Sequence, residues 1–375
     1  MNIKYCGPAK DYSGYGEANR HDIAALVSAG FDVSVELMRH CLEISEFGEL
    51  GAMVDELSVK TNDCEVKILH STPNLYGRFI EPGKYNIGRV FWETDKLPPD
   101  FAKGAQLCDE IWTGSEFNAQ AIRNAGVTKP IFIIPEAIAI DNEIDNVKPF
   151  VVENADTFKF YSIFEWTERK NPRALIEAYF KQFSGVNGVS LTLKTYVDNF
   201  TPDKKSQIEQ EVLNIKNELN LDEYPPIYLM LDLMDREQMY RFHRTFDCFV
   251  STHRGEGWGI PQMEAMVSGN GIISTNCGGI HEYLTNNYDA LLPECDLIPI
   301  VGNMRNAQWY RSDQNWADVN TDQVRSMMQW AFTNQAHFST MGKRAKETVI
   351  EKFDIHVVGQ IMKNRLASIE KMLHS

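Results

Sequence analysis

Ser251-Thr252-His253-Arg254-Gly255-Glu256-Gly257-Trp258-Gly259-Ile260-Pro261-Gln262-Met263-Glu264-Ala265-Met266 is the stretch whose reading decides the fold. It follows Asp247-Cys248-Phe249-Val250, a short apolar run that reads as a buried strand. Gly255, Gly257 and Gly259 let the backbone turn sharply and approach a ligand closely. Pro261 suits the first turn of a helix, where its missing N–H costs nothing. A strand, a glycine-rich loop and a helix start therefore follow in order. That order presents free backbone N–H groups and a positive dipole end to an anion. Glu256 precedes the helix and Glu264 lies about one turn inside it, so the pair does not form one helical stripe. The two carboxylates suit two ends of one long ligand. The other reading is a capped helix with a solvated glutamate on each side.

Glu256 and Glu264 form a Glu-x7-Glu pair, and the surrounding Gly-Glu-Gly-Trp-Gly-Ile-Pro…Glu-Ala-Met resembles the signature of retaining glycosyltransferases of family four. The resemblance implies an α/β chain of GT-B fold, with two Rossmann-like domains whose parallel sheets face across a cleft. It implies transfer of a sugar from a UDP- or GDP-linked donor to an acceptor hydroxyl, with retention at the anomeric carbon and without a metal. Glu264 would then hold the ribose hydroxyls and Glu256 would face the donor sugar. The N–H groups of Gly257, Trp258 and Gly259 would lie near the sugar and phosphates, with Ile260 and Arg254 on the same donor side. Gly278 and Gly279, after a strand at 271–275, resemble the glycine pair that follows this helix in the family.

Two cations extend the donor side. Glu165-Trp166-Thr167-Glu168-Arg169-Lys170-Asn171-Pro172 follows a strand at 158–164 and leads into a helix. Arg169 and Lys170 at that strand end suit a diphosphate leaving group, or else form a solvated basic pair. The family usually has an Arg and a Lys in this loop. Lys170 matches the Lys, whereas Glu165 stands at the usual Arg position, so Arg169 would have to substitute. Lys194, near the end of a strand at 189–196, joins the donor set.

The first part of the chain alternates strands and helices, with strands at 3–6, 31–35, 66–70, 85–92, 110–113 and 131–135, which implies a parallel sheet. Gly14, Tyr15 and Gly16 lie in a flexible loop before a helix at 17–29. They resemble the family's first glycine loop, or form an ordinary βα turn. His70 ends a strand, where parallel sheets carry functional residues; it belongs to an acceptor side or satisfies loop carbonyls. Trp92-Glu93-Thr94-Asp95 resembles a segment of a subset of these enzymes. Glu93 and Asp95 would orient an acceptor hydroxyl, or cap the next helix. The expected domains are 1–145, 146–350 and a terminal helix at 351–375 that, by resemblance, crosses back onto the first. The linker is expected at 140–154 and a last short strand at 289–292. Segments 41–62 and 297–313 have no clear periodicity.

The 375 residues suffice for two domains, and the net charge of −15 disfavours broad binding to nucleic acid or an anionic membrane surface. Seven cysteines are scattered singly, without metal-ligand spacing or a disulfide framework. No apolar run is long enough to span a bilayer, and the first residues read as a strand rather than a signal peptide. A reducing cytoplasm is the expected compartment. The expected partners are the nucleotide-sugar and a glycan or polysaccharide acceptor, with no cofactor besides the donor. A hydroxylated base in nucleic acid is the runner-up acceptor, and a non-catalytic nucleotide-binding GT-B protein is the non-enzymatic rival.

Overall fold

A computed structural model describes residues 1–38, 47–140, 146–151, 157–301 and 308–375. The chain divides into two units, Met1–Asp141 with Gln308–Gln314 and Ile350–Ser375, and Asn142–Ala307 with Asn315–Val349.

The first unit runs β1 (Asn2–Gly7), α1 (Gly14–Ser28), β2 (Asp32–Leu37), α2 (Gly48–Ser58), β3 (Val66–His70), β4 (Tyr85–Arg89), α3 (Pro99–Ala105), β5 (Glu110–Thr113), α4 (Glu116–Asn124) and β6 (Ile131–Ile133). Its strands form one parallel sheet in the order β2-β1-β3-β4-β5-β6. Side chains alternate across the sheet, and both faces are apolar. Ile3, Tyr5, Val66 and Ile68 pack with Ile23 and Leu26 of α1 on one face. Cys6 and Leu69 pack with Phe101 and Ile111 on the other.

The second unit runs β7 (Phe158–Glu165), α5 (Pro172–Phe183), β8 (Val189–Tyr196), α6 (Pro202–Leu219), β9 (Ile227–Met230), α7 (Arg236–Thr245), β10 (Cys248–Ser251), α8 (Ile260–Val267) and β11 (Gly271–Ser274). The parallel order β11-β10-β7-β8-β9 makes β10 the neighbour of β7. The winding reverses at β7, so the loops after β7 and β10 emerge side by side, where open α/β sheets bind ligands. An antiparallel ribbon of β12 (Cys295–Pro299) and β13 (Asn315–Val319) follows, then α9 (Thr321–Thr333) and α10 (Gln335–Phe353). The final helix, α11 (Ile355–Leu373), belongs to the first unit and buries Val358, Met362, Leu366 and Ile369 in the same core as Ile23.

Several boundaries differ from those read in the sequence. Gly14, Tyr15 and Gly16 are not a flexible loop but the first turn of α1, because the Ser13 hydroxyl accepts from Gly16 N at 3.3 Å. β4 stops at Arg89 instead of 92. Residues 289–292 do not form a strand but make isolated bridges, Ile273 with Leu291 and Asn286 with Ala290, since Asp289 is bound into a turn by Thr285 N at 2.6 Å. The unassigned 41–62 holds α2, and 297–313 overlaps β12 and a segment of the first unit. Residues 41–46 of the former, 302–307 of the latter, and 141–145 and 152–154 of the expected linker lie outside the described residues.

One ion pair ties α11 to the first sheet. Glu110 of β5 is fully buried and accepts from Trp112 Nε1 at 2.7 Å, Tyr85 Oη at 2.9 Å and Arg365 Nε at 3.0 Å. Arg365→Met leaves that carboxylate without its cation. It should lower the stability of the first unit by about 3 kcal/mol, the usual consequence of orphaning one member of a buried pair. Urea unfolding followed by hydrogen exchange in β5 measures this, and an unchanged stability would contradict the role.

Candidate functional site

The glycine-rich loop between β10 and α8 is held by backbone packed on backbone. Gly278 has φ 94° and Gly259 has φ 103°, both in the left-handed region that a side chain disfavours. A Cβ on Gly278 would stand 2.4 Å from Glu256 O, and one on Gly279 would stand 2.2 Å from Gly257 O. The turn after β11 therefore lies directly against the loop, and Gly279 N donates to Glu256 O at 3.0 Å. Tyr283 Oη donates to Trp258 O at 2.6 Å and packs its ring against the indole at 5.1 Å. Pro261 occupies the first turn of α8, as its fixed φ suggests.

His253 bridges the same two segments. Its Nε2 lies 3.0 Å from Cys277 O and its Nδ1 lies 3.1 Å from Ser251 Oγ. A carbonyl only accepts, so Nε2 carries the proton and Nδ1 accepts from the hydroxyl. Burial pushes its pKa down to about 4, which keeps the ring neutral at pH 7.

Arg169 and Lys170 come from the loop after β7. A one-turn helix, Glu168–Lys170, ends at Asn171, whose φ of 51° redirects the chain into α5. Two bonds join this loop to the glycine loop: Thr252 Oγ1 donates to Asn171 O at 2.9 Å, and Arg254 N donates to Arg169 O at 2.6 Å. Both cations thereby face Glu256. Lys170 Nζ donates to Glu256 Oε1, while Arg169 Nη1 lies 3.5 Å from Oε2 and donates to Gly255 O at 2.8 Å. Glu256 is 6% exposed. Burial alone would raise its pKa, but Lys170 and Arg169 outweigh that and hold it at about 2. It is an ionised acceptor at neutral pH, fit to receive hydrogen bonds from hydroxyls and unfit to donate a proton.

The remaining donor-side residues divide. Gly257, Trp258, Gly259, Ile260, Gly278 and Gly279 all belong to this packed loop and turn. Glu264, one turn into α8, keeps partial exposure and has His243 Nε2 at 3.6 Å. Arg254 is turned to the ribbon, where Nη1 meets Asp318 Oδ1 at 2.6 Å and its carbonyl accepts from Ala317 N at 2.7 Å. Lys194 sits in register with Ile163 of β7, and burial lowers its pKa to about 8. Its ammonium lies 5.5 Å from the Phe200 ring, and among the described residues no hydrogen bond links it to Glu256. Sequence reasoning missed His253, Cys277 and Tyr283. The one available signal was His253 itself, a histidine inside the quoted stretch two positions past the end of β10.

In the first unit, Tyr15 packs edge-on to His70 at 5.9 Å. His70 is 1% exposed and sits in a polar chain. Tyr5 Oη lies 2.6 Å from His70 Nδ1 and donates to Asp22 Oδ2 at 3.1 Å, and Arg89 Nε donates to that same oxygen at 2.5 Å. The phenol has one proton, which goes to Asp22, so Nδ1–H donates to Tyr5. Nε2 is left as an acceptor, 3.7 Å from Glu136 Oε1. Burial and then Asp22 push the Glu136 carboxyl up to about 8, so it faces the ring as a neutral acid. Glu93 and Asp95 lie in the loop after β4. Neither caps α3, whose N-cap is Pro98 without a side-chain bond, and Asp95 O accepts from Asn124 Nδ2 at 2.8 Å.

Residues 226–296, which include the glycine loop and α8, match the family described as "Glycosyl transferases group 1". No curated protein matches the chain in sequence. Among solved structures, Anabaena HepE in complex with UDP-glucose is similar, with a TM-score of 0.68 at 12% identity over 98% of this chain and 100% of that one. Sucrose-phosphate synthase from Thermosynechococcus elongatus gives 0.67 at 13% identity over 99% and 100% of the two chains. The trehalose-6-phosphate synthase OtsA gives 0.67 at 12% identity over 98% and 99%. The fold is thus α/β with two parallel-sheet units, matching GT-B structures.

The charge state of Glu256 generates a test. Its folded pKa of about 2 lies below the ordinary 4.5, so it stabilises the second unit above pH 4.5 and that contribution is lost as pH falls towards 2. Glu256→Gln should flatten this part of the acid decline and leave the second unit less stable at pH 7, where two partly buried cations lose their carboxylate. An acid limb identical to that of the parent chain would contradict the pairing.

Proposed function

We propose that this chain is a glycosyltransferase that takes a sugar from a UDP-sugar and passes it to an acceptor hydroxyl with retention of anomeric configuration. The observation that carries the reading is the buried Glu256 with the partly buried Lys170 and Arg169 against it, beneath a glycine loop that opens α8. A helix start of this kind aims backbone N–H groups and the positive dipole end at an anion. The match at 226–296 falls on the same segment. HepE, similar in fold, is described with UDP and with UDP-glucose.

In this reading Glu264 holds the ribose hydroxyls, and Lys170 with Arg169 takes the diphosphate. Glu256, ionised, accepts from hydroxyls of the donor sugar. As the bond from the anomeric carbon to the diphosphate oxygen breaks, negative charge grows on the leaving group next to Lys170 and Arg169. Charge-assisted hydrogen bonds there stabilise the transition state more than the ground state. The acceptor oxygen attacks from the same face, and its proton passes to the departing phosphate oxygen. No protein base is required. This scheme needs no metal. The acceptor is a glycan or another hydroxylated sugar, with Tyr15, His70, Glu93 and Asp95 of the first unit as the acceptor-side residues. The net charge of −15 opposes a nucleic-acid acceptor. A cytoplasmic location is part of this reading.

Glu264→Ala should weaken UDP binding at least about tenfold by calorimetry, the cost of one charge-assisted hydrogen bond to a ribose hydroxyl. Unchanged affinity removes Glu264 from the site. Single-turnover release of UDP from a panel of UDP-sugars, with the product anomer read by NMR, tests the reaction; an inverted anomer rules out the retaining scheme.

A further inference from the structure

The turn that braces the glycine loop carries a second chemistry. Ile273 and Leu291 form a parallel bridge, Ser274 N donates to Leu291 O at 3.1 Å, and Asn276 N donates to Pro293 O at 3.0 Å. Continuing the Ile273–Leu291 register by four residues sets Cys277 beside Cys295. Cys295 Sγ donates to Asn276 O at 3.5 Å, which brings that thiol onto the turn itself. The two thiols also hydrogen-bond to each other, which pushes the Cys277 thiol pKa up and makes Cys295 the more readily ionised of the two. Cys295 is partly exposed, whereas Cys6, Cys64, Cys108 and Cys248 are buried. It is therefore an accessible thiol with a partner directly behind it.

We propose that Cys277 and Cys295 are a reactive dithiol that closes to a disulfide with small disulfides of the glutathione type, and that closure loosens the nucleotide-sugar site. The site half of this statement rests on the function proposed above. The Cys295 thiolate attacks one sulfur of the small disulfide, forming a mixed disulfide and expelling one small thiolate. Cys277 gives up its proton and attacks Cys295 Sγ, expelling the second thiolate. Two protein thiols are oxidised and one small disulfide is reduced to two thiols.

The consequence follows from what the turn holds. A disulfide brings the sulfurs to about 2.05 Å, well inside hydrogen-bonded thiol contact, so closure draws the turn towards β12. Cys277 O is the acceptor for His253 Nε2 at 3.0 Å, and Gly279 N holds Glu256 O at 3.0 Å. On the far side, the ribbon that starts at Cys295 grips Arg254 through Ala317 N and Asp318. Both anchors of the loop are thus attached to the two cysteines, and shortening the distance between them strains the bonds that place Glu256.

The full chain is incubated with oxidised glutathione, alkylated and digested, with Cys295→Ser as the control. The expected result is a peptide linked through Cys277 and Cys295, faster hydrogen exchange at 252–260, and UDP affinity reduced about tenfold, the cost of one lost hydrogen bond. Dithiothreitol should reverse all three, and Cys295→Ser should show none. Absence of the linked peptide overturns the dithiol. A linked peptide with unchanged exchange at 252–260 overturns the coupling. Failure of the reduced chain to bind UDP sinks the nucleotide reading alone, because the peptide map and the exchange data do not depend on it.

Discussion

A buried carboxylate between two cations is the constraint on which the rest of the second unit depends. Burying an ion without a partner costs several kcal/mol. Glu256, Lys170 and Arg169 come from two loops that are distant in sequence, so those loops must be held together for the charges to be tolerated. The strand order does this first, by making β7 and β10 neighbours. Thr252 with Asn171 and Arg254 with Arg169 then fix the loops to each other. Glycine enters last: only residues without a Cβ let the turn at Gly278 and Gly279 lie against the Glu256 and Gly257 carbonyls. Each layer serves the placement of one carboxylate.

Two of the chain's polar clusters are tuned in opposite directions by the same forces. Glu256 is buried, yet two cations keep it ionised. Glu136 is also buried, but the nearby Asp22 adds repulsion and the Arg89 guanidinium is shared with Asp22, so the acid keeps its proton. One carboxyl group accepts hydrogen bonds and the other can donate one. The first suits the donor role proposed for Glu256, and the second stands in a separate buried polar cluster around His70.

Much of this was legible because it is local. Val66–His70, Glu110–Thr113 and Val189–Tyr196 carry unbroken strand chemistry between turn residues, and the structure has strands with those bounds. Ser115 before the helix at Glu116–Asn124 is a side-chain cap, bonded to Asn118 N. The quoted motif announced its own strand, loop and helix. What failed was non-local. The β12–β13 ribbon breaks the parallel alternation and has no period of its own, and 302–307 lies outside the described residues. Trp309 and Tyr310 stand in the 297–313 segment that shows no periodicity, yet Tyr310 stacks on Trp92 at 5.3 Å and Trp309 packs on Phe101 at 5.5 Å. Arg254 was expected on the donor side, whereas its guanidinium pairs with Asp318, far along the chain. The role of Arg169 also needed coordinates. Glu165, at the family's usual Arg position, ends β7, and Arg169 reaches Gly255 and Glu256 from the next turn.

A crystal structure of the chain with UDP bound tests the central claim most directly. The account predicts the diphosphate within hydrogen-bond reach of Lys170 and of the N–H groups of the glycine loop, with the ribose hydroxyls on the Glu264 carboxylate. UDP seated elsewhere, or a ribose remote from Glu264 with Lys170 still turned wholly to Glu256, would contradict it.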